Sequence, residues 1–267
     1  MNTSASTTAF TDRSDVFLER VYGNALGQLR AEQLIADLEE FLQQHQEVRS
    51  ILDIGAGHAP VTLTLLARHP ELTACLVDPS RDLLEQAEGN RQQFGIYKDR
   101  LQIIQGELST VLHDELPCDL IICHAVANWT LDPTAFLRDL IELGNARGAW
   151  VSLVVGARRA KALRFANQGN MAHLKEAVAS LDTPVGSLLD GEKVIPLDPD
   201  VVVQQIESLG NEIVMHAGVR IFADYVPPAV LRDDRQWALL KEAEYIARRD
   251  DRYWKLGQLI HLLFHRR

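Results

Sequence analysis

The chain has 267 residues, of which 46% are hydrophobic and 24% charged, a globular balance that excludes long disorder and coiled coil. Lysines and arginines number 27 against 37 acids, and the net charge of −10 excludes a protein that simply coats nucleic acid. The charge is uneven, with 11 basic and 22 acidic side chains in residues 1–154 but 16 and 15 in residues 155–267, so a polyanion would meet the second part.

The start, MNTSASTTAF, has neither the basic nor the apolar region of a secretory signal and reads as a frayed tail. Helical spacing of apolar residues predicts helices over Asp15–Tyr22 and Gln28–Gln44. SILDIG is then a short β-branched run stopped by Gly55, which suggests a buried parallel strand. Val61–Arg68 reads as helix, TACLVD as strand, Arg81–Phe94 as helix, and LQIIQG and CDLIICHAV as strands. Thr134–Leu143 is a helix with Gly144 as its stop signal, followed by the strand AWVSLVVG. This alternation predicts a parallel sheet covered on both faces.

Beyond it, Arg158–Asn167 and Met171–Leu181 read as helices, and Thr183–Pro199 as a loop-rich segment. Asp200–Leu209 and Trp237–Arg248 are helical. EIVMHAGVRIFADYV reads as a strand pair around Ala217-Gly218, and LGQLIHLLFH as a last strand or a helix. The expected division is 1–44 for the tail and N-terminal helices, 45–156 for a cofactor core, 157–199 for an inserted cap, and 200–267 for the segments completing the sheet and acceptor site. Three cysteines, Cys75, Cys118 and Cys123, without a CxxC, point to free thiols and a reducing, cytoplasmic setting. No apolar run reaches the roughly 18 residues of a membrane span, and no clustered His/Cys set suggests a metal. Oligomeric state is not legible.

Asp53-Ile54-Gly55-Ala56-Gly57 follows a strand and opens a helix. Glycines there let backbone approach a ligand, and the helix start supplies free N–H groups. A dinucleotide site wants a third small residue where this chain has Pro60. Asp53 instead suits a cationic ligand such as S-adenosylmethionine, with its ammonium and sulfonium. Asp78 ends the next strand, where an acid can accept both ribose hydroxyls.

On DIGAGHA (53–59) the chain resembles the class I S-adenosylmethionine-dependent methyltransferases, with Ala59 in place of their third glycine. On YGNALGQLR (22–30), HAVANWTLDP (124–133), QGN (168–170), GVRIFADY (218–225) and LGQLIH (256–261) it resembles the bacterial tRNA 5-carboxymethoxyuridine methyltransferases. The resemblance implies a Rossmann-like α/β fold: a mostly parallel seven-stranded sheet with helices on both faces, N-terminal helices and a helical/loop cap. It implies methylation of a carboxylate on a modified wobble uridine of tRNA, giving a methyl ester. A small-molecule methyltransferase and a non-catalytic S-adenosylmethionine-binding protein stay open as alternatives, as does an anionic small molecule in place of the tRNA anticodon loop.

The same resemblance assigns Arg30 to the cofactor's carboxylate, Gly55 and Gly57 to its loop, and Asp78 to its ribose. It assigns Leu108 and Ser109 to its adenine, and His124 to the cofactor–acceptor boundary. Trp129 could wall the acceptor site or merely pack its loop. Arg220 and Tyr225 are candidates for gripping the acceptor; an Arg220–Asp224 ion pair is the competing reading. His261 is a weaker candidate. Asn128 and Gln258 replace a glutamate and an arginine of the family, and Arg158, Arg159, Lys161 and Arg164 could form either a phosphate contact or a solvated basic helix. A carboxylate is already anionic at neutral pH, so positioning replaces a general base.

Overall fold

The β-branched run Ser50–Ile54 forms β1, and every residue of it is buried. In a computed structural model, which describes residues 18–19, 21–179 and 194–267, it is the middle one of five parallel strands in a seven-stranded sheet. Thr73–Asp78 (β2) and Leu101–Gln105 (β3) extend the sheet on one side. Leu120–His124 (β4) and Trp150–Gly156 (β5) extend it on the other. These five strands are parallel. Leu259–Arg266 (β7) is inserted antiparallel between β5 and Asn211–Val219 (β6), giving the order β3-β2-β1-β4-β5-β7-β6. This is the expected Rossmann-like class I methyltransferase architecture.

Successive strand residues face opposite layers, as the two-residue period requires. Leu52, Cys75, Val77 and Ile121 pack on one side under Pro133–Arg147 (α5) and Pro199–Ser208 (α8). Ile51, Leu76, Ile122 and Val154 pack on the other under Ala25–Gln44 (α1), Pro60–Arg68 (α2) and Arg81–Gln93 (α3). Further helices are Leu108–Val111 (α4), Arg158–Asn167 (α6), Met171–Ala179 (α7) and Asp234–Ala247 (α9). No described helix is long and apolar enough to cross a membrane. The tail, half of Asp15–Tyr22 and most of the 183–199 loop lie outside the described residues.

Two expectations need correction. Gly144 does not stop α5, which runs on to Arg147 and ends at Gly148 in a left-handed conformation (φ +61°). Gly144 lies inside the helix because a Cβ there would come within 2.7 Å of Val151 Cγ2. The strand pair around Ala217-Gly218 is a single strand, β6, whose antiparallel partner is the distant β7. The chain leaves β6 at Arg220, which is left-handed (φ +58°). The next three amides, Ile221, Phe222 and Ala223, donate to the buried Glu244 carboxylate at 2.8, 2.8 and 2.9 Å. A carboxylate from α9 thus takes the donors that a second strand would have offered to a sheet.

Candidate active site

Sheet order reverses between β1 and β4, and in open α/β sheets the crevice outside the carboxyl ends at such a point receives ligands. The β1 chain turns there through Gly55 (φ +69°), where a Cβ would come within 2.3 Å of Val126 Cγ2. Gly57 (φ +57°) donates its N–H to Asp78 Oδ2 at 2.8 Å, and Ser80 N–H donates to Oδ1 at 2.8 Å. Burial pushes the Asp78 carboxyl up, opposed by these two backbone donors. A carboxylate accepts at about four lone-pair positions, so Asp78 keeps capacity for hydroxyl groups beside it.

A cavity of about 340 Å³ opens over this turn, within the size range of small-molecule sites. Arg30, Gly55, Gly57, Asp78, His124 and Arg220 all line it, together with Trp129. The non-glycine residues with positive φ among the described residues are Ala59, Ala125 and Arg220. Arg220 and Ala125 border this cavity and Ala59 a smaller adjoining one. Strained backbone thus collects where the fold is open.

Arg30 arrives on α1, whose start is set by Asn24: its side chain caps the helix by accepting Gly27 N–H at 3.0 Å. The Arg30 guanidinium is buried, and its sole hydrogen bond among the described residues is to the Tyr22 hydroxyl at 3.2 Å. A buried guanidinium without a carboxylate, at a cavity wall, fits an incoming carboxylate. His58 packs edge-on against Tyr22. Burial, then the Arg30 charge, pulls it down to about 4, so it is neutral at pH 7.

Asp53 does not line the large cavity. It borders the small one with Arg30 and His124, buried and accepting the Thr62 hydroxyl at 2.6 Å. Burial pushes it up to about 7, with the Thr62 hydrogen bond opposing and the Asp78 charge adding. Leu108 is buried in the core and Ser109 is exposed; neither lines the cavity. Tyr225 is likewise outside the lining, its hydroxyl donating to Ala160 O at 2.9 Å. Burial, then the Asp224 charge, pushes its phenol up to about 12. Arg220 does form the ion pair with Asp224, at 2.8 and 2.5 Å, while still lining the cavity.

The four cations of α6 separate. Arg158 is buried and donates to Ala177 O at 3.2 Å. Arg159 pairs with Asp198, at 3.2 Å, and with Asp200. Lys161 and Arg164 line the cavity, so the helix is not simply a solvated basic face. Burial, then the Arg164 charge, draws the Lys161 ammonium down, and Arg164 meets no carboxylate among the described residues. Asn128 ties the site together: its amide bonds Gly156 N and O at 2.6 and 3.2 Å and Ile195 O at 2.6 Å. An amide can both donate and accept there, which a carboxylate in its place could not do. Gln258 also borders the cavity.

Residues 52–149 match the family model described as a methyltransferase domain. The whole chain is similar to tRNA 5-carboxymethoxyuridine methyltransferase of Escherichia coli K12, 29% identical over 257 residues, covering 95% of this chain and 94% of that protein. The chain is a class I S-adenosylmethionine-dependent methyltransferase. It is related to the bacterial tRNA 5-carboxymethoxyuridine methyltransferases. A shorter similarity, 33% over 97 residues, links it to malonyl-[acyl-carrier protein] O-methyltransferase of Halalkalibacterium halodurans, covering 35% of this chain and 34% of that protein. The fold is shared with magnesium protoporphyrin IX methyltransferase from Synechocystis PCC 6803 (TM-score 0.63, 12% identity, 98% of both chains). It is also shared with the plantazolicin methyltransferase (TM-score 0.59, 15% identity, 98% of this chain and 93% of that one). The methyltransferase binds S-adenosylmethionine, and the donor set of its cavity fits that cofactor: a glycine turn, a hydroxyl-accepting carboxylate and a buried guanidinium. The dinucleotide and non-catalytic readings of the glycine motif are set aside.

Proposed function

We propose that the enzyme methylates a carboxylate to its methyl ester, and that the carboxylate belongs to 5-carboxymethoxyuridine at the wobble position of tRNA. The observation that carries the anionic acceptor is a second set of cations on the cavity lining. Arg30 stands near the glycine turn and takes the cofactor's carboxylate, and Asp78 takes its ribose hydroxyls. Lys161 and Arg164 come from a different element, α6, and border the same space. Arg220 adds a third cation, already held by Asp224.

Bound S-adenosylmethionine supplies an electrophilic methyl group. Arg30, Gly55, Gly57 and Asp78 would hold it, and it would supply that methyl to a carboxylate oxygen, the electron pair of its C–S bond staying with sulfur. The oxygen is anionic at neutral pH, so no side chain need take a proton. Lys161 and Arg164 hold the acceptor's negative charge, Trp129 walls off water, and the backbone at Gly55–Gly57 fixes the cofactor. Orientation of this kind is worth on the order of 7–11 kcal/mol. The tRNA assignment is supported by the full-length similarity to the Escherichia coli enzymes.

Cations lining one cavity also suit a free small carboxylate, which is the second reading. Incubation with tritiated S-adenosylmethionine and tRNA lacking the methyl ester separates the two. Label entering tRNA and released by mild alkali is the expected result. Label that enters only small carboxylic acids would replace tRNA as the acceptor.

A further inference from the structure

A buried polar chain runs from the cavity through the sheet. His124 Nε2 lies 2.8 Å from Ser152 Oγ, and Ser152 Oγ lies 2.8 Å from His261 Nε2. His261 Nδ1 lies 2.9 Å from Asp37 Oδ2. Asp37 also binds Arg248 and, at 2.7 Å, Arg249, which reaches Glu40 at 2.9 Å on the surface. Ser152, His261 and Asp37 are buried on β5, β7 and α1, and only His124 borders the cavity.

We infer that Ser152, His261 and Asp37 are positioning residues that fix the tautomer of His124, keeping its proton on Nε2 and presenting a bare Nδ1 to the bound ligand. Burial pushes Asp37 up, but the His261 hydrogen bond and the Arg248 and Arg249 groups outweigh it and hold the carboxyl well below its usual range. Ionised, it can only accept, so His261 Nδ1 donates. Asp37's single charge is already shared by two guanidinium groups, and a second proton on His261 would bury a further cation beside them. His261 Nε2 is therefore an acceptor, and the one proton of Ser152 Oγ points to it. Ser152 must then accept from His124, which places the His124 proton on Nε2.

The remaining nitrogen, Nδ1, meets no partner among the described residues. A bare nitrogen on an imidazole that lines the cavity can accept from an N–H or O–H of the ligand, such as the ammonium of an amino-acid moiety. Burial holds His124 well below the ordinary imidazole range, the Arg30 charge adds to this and the Asp37 charge opposes it, so the ring is neutral. The inference does not depend on which acceptor the enzyme methylates.

Long-range ¹H–¹⁵N spectra of the cofactor-free, ¹⁵N-histidine-labelled protein read the tautomer directly. The expected wild-type result is His124 protonated on Nε2 alone between about pH 6 and 8. Ser152→Ala should give a mixture of tautomers and weaken S-adenosylmethionine binding about tenfold by calorimetry. A wild-type proton on Nδ1, or an imidazolium in that range, would overturn the inference without any variant. So would a folded Ser152→Ala protein with unchanged tautomer and affinity.

Discussion

Asp53 is a carboxyl group whose sole hydrogen bond among the described residues comes from the Thr62 hydroxyl. Its ordinary value near 3.8 rises to about 7 on folding, because burial disfavours the charged form. Across about pH 4 to 7 the folded state keeps a proton that the unfolded chain has lost, so stability falls as pH rises through that window. The full cost is present above it. Asp53→Asn should therefore stabilise the cofactor-free enzyme at pH 8, by about 2–4 kcal/mol, and change it little near pH 4. Denaturant melts at both pH values check this, and a pH-independent difference would contradict it. At Asp78 the carboxylate serves both the glycine turn and the cavity. Asp78→Asn should raise the cofactor's dissociation constant at least about tenfold, as calorimetry would show. Gly55, Gly57 and Asp78 were legible in the sequence because a tight turn after one strand and an acid ending the next are local requirements. The placements of Tyr225, Leu108 and Ser109 were not, because where a side chain points depends on what packs against it. The Asp37–His261–Ser152 chain was missed because its members lie far apart in sequence; His261 in LGQLIH was the one visible trace.

The elements followed their periodicity wherever packing agreed with it. The strands of the parallel core were legible as apolar β-branched runs, since both of their faces are covered. The segment after Arg220 reads as strand by composition, yet it bends because Glu244, on α9, collects three of its amides. No local pattern announces that capture. Glu244→Ala should leave those donors unsatisfied and cost at least about 3 kcal/mol, measurable by urea unfolding. Its effect should extend to Arg220, whose loop these bonds hold, so acceptor affinity should fall with it. Gly144 makes the same point about helices. A glycine reads as a stop, but this one allows α5 to lie close to Val151. Gly144→Ala should destabilise the fold by about 1–3 kcal/mol through overpacking, despite alanine's better helix propensity. A stabilised variant in thermal melts would contradict that reading.

At the scale of the whole molecule, the uneven charge becomes a division within one cavity. The acidic first part contributes the glycine turn, Asp78 and Arg30, while the nearly neutral second part contributes Lys161, Arg164 and Arg220. Four cations in seven residues of α6 go to three destinations: the core, an acidic pair, and the cavity. Sequence spacing put Lys161 and Arg164 on one face, but only the sheet's open edge gives that face a purpose. The central claim is that these two residues serve the acceptor and not the cofactor. Steady-state kinetics and cofactor calorimetry on Lys161→Gln/Arg164→Gln test it most directly. The account predicts an acceptor KM raised at least about tenfold with a cofactor Kd within about twofold of wild type. An unchanged acceptor KM, or a cofactor Kd that weakens in step with it, would contradict the account.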